Sequence, residues 1–364
     1  MAAFDSQSER PRTPAALPEE LGFGRFFTDR MFVQRYTVQR GWHDGAIVPY
    51  GPLAVDPAAQ LFHCGQGIFE GMKALRRADG GVNLFRAGDH AVRFNRSAER
   101  MAMPPVDFQQ HLRTIRELVS LQREWIPARP GASLYVRPVM FAAEQSLEVR
   151  ASKSYVHYII LSPINAYFGS SFRPVSVFVS EEHFRAVRGG TGEAKTIANY
   201  AMSLYATELA RANGYDQVLW LDAVERRYVE EAGAMSVAFV YGGKHIRTPA
   251  LSGSILPSVT RDSILKLAPD LGFPVSEERI DIGELVRDVE SGAVSEVFCI
   301  GTAAVIAPIG RIGFHGRSYE VNGARTALVA RRLYEGLTDI QYGRVSDPYG
   351  WALPLDVPAR VSAA

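Results

Sequence analysis

Lys195 is the residue whose type and setting most favour covalent chemistry in this sequence. The chain contains 35 arginines but only five lysines, so arginine is its ordinary cation and each lysine stands out. An amine can lose its proton and form an imine, whereas a guanidinium stays charged. Lys195 follows the glycine-rich run 189–192 and precedes an apolar helical pattern over 201–212. A solvated lysine in a loop is the alternative, since such motifs also arise by chance.

The other four lysines have ordinary structural settings. Lys244 lies at a predicted hairpin tip, Lys266 lies on the polar face of a predicted helix, and Lys153 lies in a polar stretch. Lys73 follows the segment 69–72 and is predicted to lie at a strand edge. Lys195 is therefore the candidate for an imine-forming amine.

The segment around Ser258 suits an anion such as phosphate. Ser258 precedes an apolar helical pattern near 259–268 and is predicted to cap that helix. The amides of Val259 and Thr260 would then be free to bind a negatively charged group. Ordinary capping explains the same residues without a ligand, so the segment alone does not decide between the two interpretations.

Two other segments offer groups that bind anions. A strand predicted to end at Ile300 opens into Gly301 and Thr302, which provide amides and a hydroxyl group. Arg93 lies on a predicted helix and is a candidate counter-charge for the same anion. The competing interpretation of Arg93 is an ordinary surface arginine.

Two adjacent glutamates precede a strand that is predicted to be buried. They are Glu230 and Glu231, and the apolar strand begins after the segment 232–234. A carboxylate in an apolar strand is costly unless it meets a cation, and a protonated pyridine nitrogen is such a cation. A solvated pair of loop charges is the alternative, and these residues leave open which glutamate would face a ligand.

Length and composition indicate a globular chain of about two domains. The hydrophobic fraction of 47% is typical of a sizeable core, and the net charge of +1 argues against binding nucleic acid or acidic membranes. No apolar run approaches the roughly 20 residues that span a bilayer. Cys64 and Cys299 form no close pair, which favours a reducing cytoplasm, and no metal-binding spacing is present.

Strand and helix patterns alternate along the chain. They predict a disordered tail over 1–20, a small α/β domain over 21–168, a linker over 169–182 and a large α/β domain over 183–364. The clearest predicted helices are 87–101, 111–124, 259–268 and 283–291. No G-x-G-x-x-G motif follows a strand, so a doubly wound nucleotide fold is not predicted.

The order of these features resembles the branched-chain amino-acid aminotransferases, which are pyridoxal-phosphate enzymes of fold type IV. The resemblance runs from about residue 23 to residue 351 and depends on the joint order of short segments. These are 23–29, 50–53, 69–74, 133–138, 189–200, 216–221, 251–261, 296–298 and 301–303. It implies an α/β fold with two mixed α/β domains of the aminotransferase class IV (D-amino-acid aminotransferase-like) type. It also implies a homodimer.

The resemblance implies a role for each matching residue. Lys195 would form the imine with pyridoxal 5'-phosphate, Tyr200 would bind its phenolic oxygen, and Glu231 would bind its pyridine nitrogen, with Glu230 as the rival. The implied phosphate and ring contacts are Arg93, Leu256, Val259, Thr260 and Thr302. The implied substrate contacts are Phe23, Cys64, Phe69, Tyr135, Arg137, Tyr167, Ala234 and Ala303, with Val149 supplied by the partner subunit. No metal is implied.

The sequence departs from the family pattern at several site positions. Cys64 replaces a tyrosine that lines the substrate pocket, Ser258 replaces a glycine and Ser236 an asparagine. The implied activity is transamination between L-glutamate and an apolar branched-chain 2-oxo acid in the cytoplasm. Two alternatives stay open: a related reaction on an unusual or bulkier 2-oxo acid, and a catalytically inactive binding protein. The retained Lys195, Tyr200 and Glu231 argue against the second.

Overall fold

The computed structural model describes residues 13–165, 172–321 and 327–355. Residues 1–12 of the predicted tail and 169–171 of the predicted linker lie outside the described residues. The predicted substrate residue Tyr167 also lies outside them. The first described element is a short 3-10 turn at Pro14–Ala16.

The first sheet of the described chain contains eight strands. They are β1 (Arg30–Thr37), β2 (Gly41–Pro49), β3 (Gly67–Phe69), β4 (Met72–Arg76), β5 (Val82–Phe85), β6 (Ser133–Ala142), β7 (Ser154–Ile164) and β17 (Ala352–Leu355). Their order is β17-β5-β4-β6-β7-β1-β2, and β3 pairs with β6. Neighbouring strands run antiparallel. Three helices accompany this sheet: α1 (Gln60–Cys64), α2 (Ala87–Arg100) and α3 (Phe108–Leu121).

The second sheet contains nine strands of the described chain. They are β8 (Val175–Ser180), β9 (Gln217–Leu221), β10 (Val229–Ala232), β11 (Ser236–Tyr241), β12 (His245–Pro249), β13 (Val275–Glu278), β14 (Val294–Gly301), β15 (Val305–Phe314) and β16 (Arg317–Glu320). Their order is β10-β9-β8-β15-β14-β11-β12-β13, and β16 pairs with β15. The accompanying helices are α4 (Ile197–Ala212), α5 (Val259–Asp270), α6 (Ile282–Ser291) and α7 (Leu328–Gln341).

The helices predicted from periodicity are confirmed with small changes at their ends. Helix α3 begins at Phe108, three residues before the predicted start, because the Asp107 side chain accepts a hydrogen bond from the Gln110 amide at 2.7 Å and caps the helix there. Helix α5 begins at Val259 as predicted, and Ser258 accepts a hydrogen bond from the Arg261 amide at 3.2 Å. These local interactions place the first turn of α5 where an anion site was expected.

Both sheets bury their apolar faces against helices. In the first sheet Ile115 and Leu118 of α3 pack with Val136 and Leu161 of the central strands. In the second sheet one face packs against α6 and the other against α5 and α7. Strand β8 falls within the range predicted as a linker, and β17 joins the first sheet although it follows the second in sequence. The division of the chain into two domains at 168 and 183 stays a prediction.

A pair of buried histidines lies in the core beneath the first sheet. The rings of His111 and His157 are 5.2 Å apart, and neither ring nitrogen of His111 has a hydrogen-bond partner among the described residues. Burial lowers the pKa of His111 to about 4 and that of His157 well below its usual range. The folded protein therefore holds both rings neutral at pH values where the unfolded chain would protonate them.

We expect the protein to lose stability as the pH falls from about 6.5 toward 4, because only the unfolded state gains the protons. For His111 alone the loss between pH 7 and pH 5 is about 2 kcal/mol. Urea unfolding at both pH values measures it. His111→Gln should remove most of this part of the pH dependence, whereas His63→Gln, at an exposed ring, should not. Equal pH dependence in wild type and His111→Gln would contradict the expectation.

Candidate active site

Lys195 lies just before α4, where the two sheets meet. Its backbone amide donates to Ser97 Oγ of α2 at 2.9 Å, and its carbonyl accepts from the Phe69 amide of β3 at 3.0 Å. The Lys195 Nζ atom donates to the Tyr200 hydroxyl at 2.6 Å and lies 4.8 Å from the centre of the Phe69 ring. The backbone is thus held from the first sheet while the amine points into a cavity of about 180 Å³.

Two glycines near Lys195 are required by close approach. A Cβ atom on Gly71 would lie 1.7 Å from the Tyr135 hydroxyl, and one on Gly192 would lie 2.1 Å from the Ser254 carbonyl. The first contact closes the cavity wall formed by β6. The second packs the glycine-rich run before Lys195 against the loop that leads to α5. Both glycines therefore position the cavity walls.

One end of the cavity carries a buried arginine next to the start of α5. Arg93 donates to both carboxylate oxygens of Glu70, at 2.6 and 2.9 Å, and to the Pro257 carbonyl at 3.0 Å. His90 lies 2.9 Å from the same carboxylate. Burial by itself would raise the pKa of Glu70, but Arg93 and His90 hold it well below its usual range. Glu70 thus fixes the guanidinium of Arg93 beside Ser258 and the first turn of α5.

A buried carboxylate lies on another wall. Glu231 lines the cavity and pairs with Arg185, whose Nη2 atom is 2.7 Å from Glu231 Oε2. Burial raises the pKa of Glu231, and Arg185 opposes that shift. Glu230, the rival in the sequence, lines a different cavity. The structure therefore turns Glu231, and not Glu230, toward Lys195.

The remaining end of the cavity is formed by aromatic rings and a turn. The Phe23 and Tyr135 rings are 4.9 Å apart, and the Arg137 guanidinium lies 4.6 Å from the centre of the Phe69 ring. The turn that contains Thr302 and Ala303 faces them. This end combines an apolar wall with a fixed cation and several backbone groups.

Lys73 supports that turn from behind. Its Nζ atom donates to the Ala303 carbonyl at 2.8 Å, and burial lowers its pKa to about 7. The prediction that Lys73 lies at a strand edge is wrong, because β4 is paired on both sides, with β5 and β6. The Lys73 side chain therefore extends from an interior strand of the first sheet to the turn after β14 in the second sheet.

Most of the predicted site residues come together around the cavity. Those that line it are Phe23, Phe69, Arg93, Tyr135, Arg137, Lys195, Tyr200, Glu231, Ala234, Leu256, Thr302 and Ala303. Val259 and Thr260 are buried in the first turn of α5, directly after Ser258, which also lines the cavity.

Two predicted substrate residues lie away from this cavity. Cys64 ends helix α1 at the surface, with its sulfur 4.0 Å from the Glu148 carbonyl, and Val149 is 94% exposed on the adjacent loop. Cys64 was expected to line the substrate pocket of its own chain. It does not, because it ends α1 at the surface of the protein. Cys64 and Val149 instead belong to one exposed surface.

Several residues of the site were not predicted from the sequence. Glu70 and Arg185 hold predicted residues in place, and Gln217 and Met235 line the cavity itself. A weak signal existed for Glu70, since a carboxylate between Phe69 and a glycine in an apolar run needs a cationic partner. Arg185 gave no local signal, because its partner is remote in sequence.

Comparison with known proteins identifies the family. Residues 67–312 match the family model described as amino-transferase class IV, a range that contains Lys195, Glu231 and Thr302. The chain belongs to this family of class IV aminotransferases. It is 49% identical over 337 residues to branched-chain-amino-acid transaminase 1 of Bacillus subtilis (strain 168), covering 92% of this chain and 94% of that protein.

Solved structures agree with the assignment. The branched-chain amino acid aminotransferase of Escherichia coli superposes with a TM-score of 0.75 at 25% identity, covering 90% of this chain and 99% of that one. A T.th. branched-chain amino acid aminotransferase complexed with N-(5'-phosphopyridoxyl)-L-glutamate gives a TM-score of 0.72 at 26% identity, covering 89% of this chain and 98% of that one. The predicted class IV fold is thereby confirmed.

Two kinds of feature are absent from the described residues. No helix among them is both long and apolar enough to cross a bilayer. The same part of the chain contains no group of three or more His, Cys, Asp or Glu side chains that could hold a metal ion.

Proposed function

We propose that this chain is a pyridoxal-phosphate-dependent aminotransferase that moves an amino group between L-glutamate and apolar branched-chain 2-oxo acids. The observation that carries the proposal is the Lys195 amine, which is 2.6 Å from the Tyr200 hydroxyl in a cavity that also exposes Glu231. The name of the B. subtilis relative supports branched-chain substrates for this chain. The solved complex with the phosphopyridoxyl-glutamate adduct supports glutamate as the second substrate. The retention of all three residues does not favour an inactive binding protein.

The cavity fits the phosphorylated cofactor of the family. Arg93 and the first turn of α5 provide a cation and free amides for a phosphate. Glu231 is a buried carboxylate whose pKa is raised, so it gains from a cationic partner such as a pyridinium nitrogen. Tyr200 provides a hydroxyl for a phenolic oxygen. Leu256 lines the same wall and provides an apolar contact for the ring.

Lys195, Glu231 and Tyr200 would each have a separate role in the reaction. The bound cofactor withdraws electrons from the substrate Cα atom, which makes its proton removable. Lys195 would hold the cofactor through its amine, and the Nζ atom, once freed, would take the proton from the substrate Cα atom. Glu231 would stabilise the protonated state of the cofactor's pyridine nitrogen. Tyr200 orients the Lys195 amine through their hydrogen bond.

The substrate end fits an amino acid with an apolar side chain. Phe23, Phe69 and Tyr135 form the apolar wall, and the backbone amides near Ala234 and Ala303 are placed to bind a carboxylate. Arg137 is the cation for the second carboxylate of glutamate. The bulkier acceptor considered above is not favoured, because the B. subtilis relative, at 49% identity, is named for branched-chain amino acids.

We infer a cytoplasmic homodimer in which each chain completes the other's substrate pocket. Val149, Leu147 and Phe62 are 94%, 70% and 60% exposed, and they adjoin Cys64 on one surface. Exposed apolar side chains grouped in this way are typical of an interface. In this arrangement Cys64 and Val149 contact the substrate bound by the partner subunit.

Mixing two inactive variants tests the shared pocket. We expect Val149→Asp to lower kcat/KM at least about 10-fold, because it places a charge against an apolar wall. Refolding Val149→Asp together with Lys195→Ala should restore about a quarter of wild-type activity, since a mixed dimer contains one fully native site. Activity is measured after co-refolding at equal concentrations.

The design separates a shared pocket from a pocket built by one chain. If Val149 acted only within its own chain, no native site would form in the mixed dimer and activity would stay at the level of the separate variants. Val345→Asp, at another exposed valine, serves as the matched control and should retain activity by itself.

A further inference from the structure

A second cavity lies next to the first, on the other side of β10. It has a volume of about 500 Å³, and its walls come from the loop after β9, the end of β12 with the loop that follows it, and the segment before Gly189. Successive residues of β10 face different cavities, because Glu230 lines the second cavity and Glu231 lines the first. The aminotransferase reaction proposed above makes no use of this space.

Most charged side chains around the second cavity already have partners. Asp222 accepts hydrogen bonds from the backbone amides of its own turn, including that of Tyr228 at 2.8 Å. Arg279 pairs with Glu225 and lies 3.5 Å from the centre of the Tyr228 ring. Glu278 pairs with Arg247 at 3.3 Å. Each of these groups therefore has a hydrogen-bond or ion-pair partner within the described residues.

Glu230 is different, because part of its carboxylate is buried without a partner. Its Oε1 atom accepts hydrogen bonds from the hydroxyls of Ser252 and Ser254, whereas Oε2 is buried and has no hydrogen-bond partner within the described residues. Arg185 attracts this carboxylate, but its Nη2 atom is bound to Glu231. Burial raises the pKa of Glu230, as expected for a carboxylate that lacks a close cation.

The opposite charge is provided by Arg188. Its side chain packs on Gly253, between the two serines that bind Glu230, and it also lines the second cavity. In the described part of the chain the Arg188 guanidinium has no hydrogen bond or ion pair. The cavity wall therefore carries a buried carboxylate oxygen and an exposed guanidinium that both lack a partner in the described chain, next to the same loop.

The rest of the lining is apolar. Ile255 is buried at the cavity wall, while Val187 and Leu251 are 47% and 45% exposed beside it. Solvent-exposed aliphatic side chains at the mouth of a cavity are covered when an apolar ligand group enters. A ligand that satisfies all of these groups carries an ammonium, a carboxylate and an aliphatic side chain.

We propose that the second cavity is a non-catalytic binding site for a free aliphatic α-amino acid. The ammonium group donates to Glu230 Oε2, the carboxylate binds Arg188, and the side chain packs against Val187, Leu251 and Ile255. The serine-bearing loop continues into Leu256, which lines the Lys195 cavity. A bound amino acid therefore restrains a segment that forms one wall of the catalytic cavity.

Calorimetric titration of the full-length holoenzyme with 2-methyl-L-leucine tests this site. The probe has no hydrogen on Cα and so cannot be transaminated. We expect the probe to bind the second cavity with the same affinity in Lys195→Ala as in the wild type. Its affinity for that cavity should fall at least about 10-fold in Arg188→Gln and by a similar factor in Glu230→Gln. Glu290→Gln and Arg317→Gln, which alter an exposed ion pair outside both cavities, should bind as wild type does.

Two leucine analogues test the ligand class. 3-Methylbutylamine lacks the carboxylate and 4-methylpentanoate lacks the ammonium, so each should bind at least about 10-fold more weakly than the amino acid. Because Arg188 is exposed, we expect Arg188→Gln to fold normally. This variant therefore tests the proposed site even if Glu230→Gln fails to fold. Unchanged affinity in Arg188→Gln, loss of all binding in Lys195→Ala, or equal affinity for the amine would each overturn the proposal. Success or failure here is independent of which 2-oxo acid the enzyme aminates.

Discussion

Lys195→Ala is expected to lower kcat by at least about 1,000-fold, because the variant loses both the covalent anchor and the base that moves the Cα proton. The reaction of L-glutamate with 4-methyl-2-oxopentanoate measures this loss. Borohydride should fix the cofactor to the wild-type chain at Lys195 and should fix none to the variant. A small added amine such as methylamine should restore part of the proton transfer in the variant, which a misfolded site would not allow.

Lys73 is the matched comparison for this experiment. It is the other lysine beside the cavity, and burial lowers its pKa to about 7, so it is chemically able to form an imine. It donates to the Ala303 carbonyl, however, and does not line the cavity. Lys73→Ala should therefore keep the borohydride-stable linkage at Lys195. Cofactor fixed at Lys73 in the Lys195→Ala chain would refute the assignment.

Glu231→Gln is expected to lower kcat about 100-fold while weakening cofactor binding much less. A carboxylate stabilises the protonated pyridine nitrogen, whereas an amide does not, so electron withdrawal from the substrate Cα atom decreases. The deuterium isotope effect on kcat with Cα-deuterated leucine should increase, because proton removal becomes more fully rate-limiting. Absorbance titration of the apoenzyme with the cofactor measures binding separately.

Glu230→Gln provides the comparison on the same strand. Since Glu230 lines the second cavity, its substitution should change the isotope effect much less than Glu231→Gln does. The reverse order of effects would show that the two glutamates exchange places in the protein. Melting temperatures of both variants control for unfolding, because each substitution alters a buried carboxylate near Arg185.

Much of the candidate site could be predicted from local sequence. The scarcity of lysine and the glycine-rich run before the residue pointed to Lys195. The Ser258 cap predicted the start of α5 because capping depends on residues within one helical turn. Features that depend only on residues close in sequence can be predicted without knowledge of the fold.

Contacts between distant segments could not be predicted in this way. The Arg93 guanidinium is held by Glu70 from another element and bonds Pro257 from the loop before α5. Cys64 was expected at the pocket, but the packing of α1 turns it outward. Strand β17 also returns to the first sheet from the far end of the described chain. Such placements depend on which surfaces pack together, and a local pattern carries no information about that.

The choice between Glu230 and Glu231 shows most directly what the sequence determines and what the tertiary structure determines. The sequence by itself indicated that one of two adjacent glutamates before a buried strand would need a cation, with a solvated pair of loop charges as the alternative. It did not determine which one, since strict alternation of faces along a strand applies only to regular pairing. The pairing of β10 with β9 shifts between Val229 and Glu231, and such a bulge changes the direction of the side chains that follow. Tertiary structure therefore placed Glu231 at the cavity that contains Lys195 and left Glu230 facing the second one.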